Sequence, residues 1–251
     1  MSSHKSDDVL QRVRSVARKG RGIPILSRAR QRCAGAAVAT ILLAGPAFAG
    51  DPGLGDQAPR FYVRLGGAGV LFTTNAKLSL AGQEIPGAGA TSSNNGTAVL
   101  DFGYYPYPSV AISATVGVPP TSKITGTGTA SPFGVLGQVT YGPLVVSGHY
   151  HFTSLGIVQP YLGGGIAYYT IFGTRDGAIT NLKVQNALGP VLQLGEDTLI
   201  TKRWGVFVDL KKIWLHTTAS GKALTPAGPA SAVAKAALAP LVISAGVFLR
   251  F

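Results

Sequence analysis

The stretch Ser109-Val-Ala-Ile-Ser-Ala-Thr-Val-Gly-Val118 decides the fold. Val110, Ile112, Ala114, Val116 and Val118 alternate with Ala111, Ser113, Thr115 and Gly117, a period of two that an extended strand turns into one apolar and one small or polar face. Seven other stretches repeat the pattern: about Phe61 to Phe72, Thr97 to Tyr104, a segment within Gly134 to Phe152 bent at Gly142-Pro143, Pro160 to Phe172, Val184 to Glu196, Trp204 to Leu215 and Leu241 to Phe251. Short connections (105–108, 153–159, 197–203) alternate with long ones (73–96, 119–133, 173–183, 216–239). That rhythm predicts an all-β fold, an eight-stranded antiparallel up-and-down transmembrane β-barrel with both termini on the periplasmic side.

Composition decides which solvent the barrel faces. The 251 residues hold 22 Lys and Arg against 10 Asp and Glu, a formal charge of +12, yet only 13% of them are charged. Soluble domains carry roughly 25% charged residues, and a nucleic-acid binder becomes basic by adding charge. After residue 49 no run of 18 apolar residues offers a spanning helix: Leu155 to Phe172 contains Gln159, Pro160 and three glycines, and the tail from Ala227 is broken by Lys235 and Pro240. A closed barrel is the other structure a bilayer permits.

Alternation also fits a soluble lipocalin-like barrel or a sandwich, and the direction of the faces separates them. The polar faces hold too few charges to hydrate an exterior, so the apolar faces are assigned to lipid and the charges to the lumen. Arg64, Asp101, Asp209, Lys211 and Arg250 are the expected lumen charges, and they should pair, because an isolated buried ion costs several kcal/mol. Aromatics near the strand ends read as interfacial bands: Tyr104, Tyr105, Tyr107, Phe152, Tyr161, Trp204 and Phe251 on the inner side, and Phe72, Tyr169, Phe172 and Trp214 on the outer.

Much of the basic excess precedes the barrel. Residues 1–49 hold nine basic and two acidic side chains, followed by the apolar run from Ala34 to Ala44 and the small-residue close Ala47-Phe-Ala49. This reads as a secretory signal peptide with a long basic n-region and cleavage after Ala49, leaving residues 50–251 as the outer-membrane domain. A start of translation later than Met1 would explain the length of that region. An N-terminal anchor and a mitochondrial presequence are the rival readings. The single cysteine, Cys33, would leave with the signal, so no disulfide or cysteine metal site is expected in the mature chain.

The remaining motifs are weak. Asn94-Asn95-Gly96 suits a tight turn into the second strand. Gly163-Gly-Gly165 continues as a strand rather than opening a helix, so its glycines are read as saving lumen space and not as a phosphate loop. His149 and His151 share a strand face and read as lumen or rim polar groups; as metal ligands they lack a third partner at close spacing, and neither metal nor cofactor is expected. No Gly-x-Ser-x-Gly elbow is present, which argues against an enzyme. The helix formers from Ala230 to Ala239 suggest a short helix at the outer rim.

Four segments carry a family resemblance. Gln159-Pro-Tyr-Leu-Gly-Gly-Gly-Ile-Ala-Tyr-Tyr-Thr-Ile-Phe172, Gly148-His-Tyr-His-Phe152, Trp204-Gly-Val-Phe-Val-Asp-Leu-Lys-Lys-Ile213 and the closing Gly246-Val-Phe-Leu-Arg-Phe251 resemble strands of the OmpW family of small outer-membrane proteins, which includes the AlkL-type importers. The chain has Gly142-Pro143 where family members often have Pro-Pro, and its outer loops match poorly. The resemblance implies a narrow barrel whose outer part is an apolar pocket, through which small hydrophobic molecules pass and leave sideways into the membrane. It also implies that Phe251 is the signal read by the barrel-assembly machinery, and that the partners are outer-membrane lipid and lipopolysaccharide. A structural or adhesive receptor barrel is the alternative; deleting residues 218–238 would impair partner binding in that case and uptake in the first.

Overall fold

Period-two alternation becomes fifteen strands in residues 59–225 and 228–251, the part of the chain that the computed structural model describes. They are β1 Phe61–Leu71, β2 Thr74–Leu80, β3 Gln83–Glu84, β4 Ala88–Ser92, β5 Asn95–Tyr107, β6 Val110–Gly117, β7 Thr121–Gly128, β8 Val135–His151, β9 Val158–Asp176, β10 Ile179–Val184, β11 Ala187–Leu199, β12 Trp204–Ile213, β13 Leu215–Thr225, β14 Gly228–Leu238 and β15 Leu241–Arg250. The expected signal peptide, with Cys33 and the cleavage after Ala49, lies outside the described residues.

Eight strands close a barrel in the order β1, β5, β6, β8, β9, β11, β12, β15, each antiparallel to the next, with β15 returning to β1. Closure leaves no free edge, the condition for β-structure in hydrocarbon. The register between β8 and β9 shifts at Thr140 and Tyr141, just before Gly142-Pro143. The residue passed over is Phe172 of β9, so β9 carries a one-residue bulge there, while Pro143 keeps its place opposite Tyr169.

Side chains sort as the alternation requires of a membrane barrel. Leu65 is 57% exposed, Ile166 56% and Val247 48%, whereas Arg64 is 2% exposed and Asp209 1%. Phe61, Tyr104 and Phe251 meet at the inner rim, with ring centroids 5.0 and 6.1 Å apart, and Tyr107, Phe152 and Trp204 are exposed at the same end. At the other end Phe172 and Trp214 are exposed. Three aromatics assigned to these bands belong elsewhere: Tyr105, Tyr161 and Tyr169 are buried in the lumen. Each occupies an inward position of its strand, and parity outweighs nearness to the strand end. Phe72 is half-buried and packs edge-on against Tyr141.

The long connections are strands rather than loops. They build an outer storey of two sheet portions: β4, β7 and the outer halves of β8 and β9 on one side, and β10, β13, β14, β2 and β3 on the other. The helix expected over residues 230–239 is instead β14, paired with β13 on one edge and β2 on the other. Helix propensity, even alanine's, is a weak prior that tertiary pairing overrides. Here two ladders satisfy the backbone, and Ala232, Ala234 and Ala236, at alternate positions, are small enough to let the sheets approach. The tight turn expected at Asn94-Asn95-Gly96 is absent as well, since Asn95 and Gly96 already belong to β5. Its place is taken by Ala81 and Gly82, both at positive φ (49° and 85°), which turn β2 back into β3.

Candidate functional site

Across the middle of the barrel, inward side chains from all eight strands join in one polar network. Arg64 of β1 donates through Nη2 to both carboxylate oxygens of Asp197 on β11 (2.8 and 2.9 Å) and through Nη1 to Asp101 of β5 and to the Tyr161 hydroxyl (3.3 Å each). Tyr161 of β9 in turn donates to Asp209 of β12 (2.7 Å), which also accepts from Gln193 (2.6 Å) and from the Lys211 ammonium. Arg250 of β15 donates to Asp197 (3.0 Å) and Gln159 (2.9 Å). Thr115 of β6 donates to Asp101 (2.7 Å).

The balance of charge is the physical point. Three cations, Arg64, Lys211 and Arg250, face three carboxylates, Asp101, Asp197 and Asp209, so the network is neutral as a whole and each ion has an opposite partner. Rings add a second layer of support. The Arg64 guanidinium lies 4.5 Å from the Tyr62 ring centroid and 4.8 Å from that of Tyr161. Glycines make the room: a Cβ on Gly195 would overlap the Tyr161 ring, and one on Gly103 the Tyr62 ring.

The five charged residues singled out in the sequence are thus brought into one cluster. Asp197 and Gln159 complete it and were not singled out, and so does Tyr161, which was expected in the inner aromatic band instead. His149 joins through Nε2 to Ser113 (3.1 Å) and Ser147 (2.9 Å), and Ser147 donates to Gln193 (2.7 Å). His151 is fully buried and stacks near Tyr161, with ring centroids 4.7 Å apart. Among the described residues, no group of three or more His, Cys, Asp or Glu side chains is placed to hold a metal ion. Phe251 sits exposed at the inner rim, its backbone exchanging hydrogen bonds with Phe61 (2.9 and 3.0 Å).

Towards the outer side the lumen turns apolar within one step along β8, β11 and β12. Val145, Val191 and Ile213 stand two residues from Ser147, Gln193 and Lys211 on the same faces, and they pack with Tyr141, Tyr169 and Leu215 into a buried cluster. Tyr141 and Tyr169 stack at 5.5 Å. On this floor rest two cavities between the sheets of the outer storey. The lower, of about 100 Å³, is bounded by Phe72, Tyr141 and Tyr169 below and by alanines of β2, β4, β13 and β14 at its sides. The upper, of about 120 Å³, is lined by Leu78, Ile85, Phe133, Leu136 and Leu182. Ala90, Ile124, Ala219 and Ala234 line both, so the cavities adjoin.

The outer wall is not a continuous ladder. β2 packs beside β4, and β9 beside β10, but neither pair carries ladder hydrogen bonds. Where each seam begins, an asparagine side chain replaces the missing backbone acceptor: Asn94 Oδ1 accepts from the Phe72 amide and Asn186 Oδ1 from the Ile171 amide, both at 2.9 Å. At the far end of the second seam the Asp176 carboxylate accepts from the amides of Leu182 (3.0 Å) and Asn181 (2.8 Å). These two bonds hold its carboxyl below the usual carboxylate range.

A closed eight-stranded barrel with apolar side chains outside, paired charges inside and an apolar chamber at its outer end is a small outer-membrane barrel protein. Residues 57–251 match the OmpW family model, and the chain belongs to the OmpW family. It is 37% identical over 213 residues to the dibenzothiophene metabolism operon protein PahQ of Pseudomonas aeruginosa, covering 84% of this chain and 98% of that one. It is 28% identical over 174 residues to the outer membrane protein AlkL of Ectopseudomonas oleovorans, covering 69% and 74% respectively. Among solved structures, the crystal structure of OprG from Pseudomonas aeruginosa superposes with a TM-score of 0.72 at 21% identity, over 77% of this chain and 96% of that one.

Proposed function

We propose that the protein gives small hydrophobic molecules a passive route across the outer surface of the outer membrane. The observation that carries this reading is the pair of adjoining apolar cavities that end on a charged, fully paired network. A hydrophobic solute gains free energy by leaving water for such a chamber, about 25 cal/mol per Å² of apolar surface covered. It cannot continue downwards without breaking buried ion pairs. Charged solutes are excluded by the chamber above, so the barrel does not act as an open pore.

Release is then sideways, and the seams support it. Parting β2 from β4 breaks no ladder hydrogen bonds, whereas opening the barrel below would break a whole antiparallel ladder. Thr74 and Ala76 on one edge, and Ala90 and Ser92 on the other, line the lower cavity, so the seam leads directly out of it. That a relative at 37% identity is named for an operon of dibenzothiophene metabolism is in keeping with an apolar cargo. In the same reading the N-terminal 49 residues are removed on export, and Phe251 is presented to the assembly machinery.

Cells or liposomes carrying the protein should take up small hydrophobic solutes several-fold faster than controls without becoming leaky to ions. Ala234→Phe, which fills the waist of the two cavities, should abolish most of the gain. Uptake no faster than in controls, together with free leakage of charged solutes, would reject the proposal.

A further inference from the structure

The outer storey carries charge that neither the lumen network nor the apolar chamber uses. In the sheet formed by β10, β13, β14, β2 and β3, one face lines the cavities and the other turns outward, where Lys77, Lys183, Lys222 and Lys235 are all exposed. The register gathers them. Lys235 stands directly opposite Lys77, Lys222 opposite Ser231, and Lys183 opposite Ser220. With strands ~4.8 Å apart and alternate residues ~6.8 Å apart, the four fall within a patch roughly 17 Å across.

Two features show that the patch is unbalanced by the protein itself. The five strands contain a single carboxylate, Glu84, which pairs with Lys77 at 3.1 Å. The other three lysines have no carboxylate within their sheet, so the face carries four ammonium groups against one carboxylate, and Lys235 faces Lys77 across the ladder, a like-charge juxtaposition that Glu84 offsets on the Lys77 side alone. Small hydroxyl donors, Ser220 and Ser231, stand beside the ammonium groups.

Height selects the anion. Leu71, Phe172 and Trp214 are exposed at the outer end of the barrel strands, and the lysine face lies beyond them, from Lys77, six residues past Leu71, to Lys222, eight residues past Trp214. Headgroup phosphates of the outer leaflet are the anions a barrel meets beyond its lipid belt. We propose that this sheet face binds the phosphate groups of the outer-leaflet glycolipid, lipid A. Ammonium and hydroxyl groups donate charge-assisted hydrogen bonds to phosphate oxygens there, supplying the counter-charge that divalent cations otherwise provide. The contact anchors the β2–β14–β13 wall in the lipid layer, independently of whether the chamber carries a solute.

The test uses the processed barrel in phosphatidylcholine nanodiscs, titrated separately with diphosphoryl lipid A, with lipid A stripped of phosphate, and with inorganic phosphate. The proposal expects the diphosphoryl form to bind about tenfold or more tightly than the stripped form, with an advantage that shrinks as salt is raised. It expects the advantage to vanish in the variant Lys77→Gln, Lys183→Gln, Lys222→Gln, Lys235→Gln and to survive in Lys123→Gln, Arg175→Gln, which removes charge from the opposite sheet. Heat-modified gel migration reports folding; should the fourfold variant fail to fold, Lys77→Gln with Lys235→Gln must lose at least half of the advantage on a logarithmic scale. Equal binding of the two lipid A forms, an undiminished advantage in the lysine variants, or inorganic phosphate binding as tightly as lipid A would overturn it.

Discussion

At the scale of single residues, Arg64 is the centre of the lumen. It is 2% exposed, pairs with two carboxylates and touches two aromatic rings. Replacing it by Met leaves Asp101 without a cation and removes one of the two cations on Asp197. Breaking a buried pair this way costs about 3–5 kcal/mol, so Arg64→Met should lower the urea midpoint of folding by a corresponding amount. A midpoint unchanged within error would mean that the network bears no load. Which charges point inward was legible from parity alone, and that is how Arg64, Asp101, Asp209, Lys211 and Arg250 were found. Their partners were not. Asp197 fell in what read as the connection 197–203, because Gly195 and Thr198 interrupt the apolar signal, although β11 runs on to Leu199. Tyr161 was drawn to the interface by its position near a strand end, when its parity placed it beside His149 and Arg64.

At the scale of elements, the eight barrel strands were legible because lipid imposes one rule on every outward position. The outer storey escaped because no such rule applies there. Its strands alternate small residues with serine, threonine and lysine, and Ala230 to Ala239 carries a helical propensity that two neighbouring ladders override. Two predictions belong here. Ala76→Cys and Ala90→Cys, bridged by a short bifunctional thiol reagent, should stop solute release through the β2–β4 seam and restore it on reduction of a cleavable linker; uptake indifferent to the bridge would remove this seam from the pathway. The second concerns Asp176, whose carboxyl is held below its ordinary value by the amides of Leu182 and Asn181. A depressed carboxyl stabilises the turn at pH values above the ordinary 3.8 and loses that contribution as pH falls through the lower folded value. Amide exchange at Asn181 and Leu182, corrected for its intrinsic pH dependence, should therefore accelerate only in strong acid, and in Asp176→Asn the protection should be reduced at every pH. Protection that is equal in the two proteins would contradict this.

At the scale of the whole molecule, the barrel is an inversion of a soluble protein: apolar outside, ion-paired within. The sparse charge that stood out in the sequence, 13% of residues under a net +12, follows from lipid covering the exterior. What remains is divided by level, with a neutral network across the barrel, an aromatic floor above it and two apolar cavities above that. The central claim is that a hydrophobic solute occupies those cavities and stops at the floor. Methyl-labelled alanines test it directly, since an aromatic solute shifts the resonances of the methyls it approaches. On titration with naphthalene, the methyls of Ala90, Ala219 and Ala234 should shift and saturate while that of Ala111, below the network, stays in place. Shifts confined to lipid-facing methyls such as Ala245, or a shift at Ala111 equal to that at Ala234, would contradict the account.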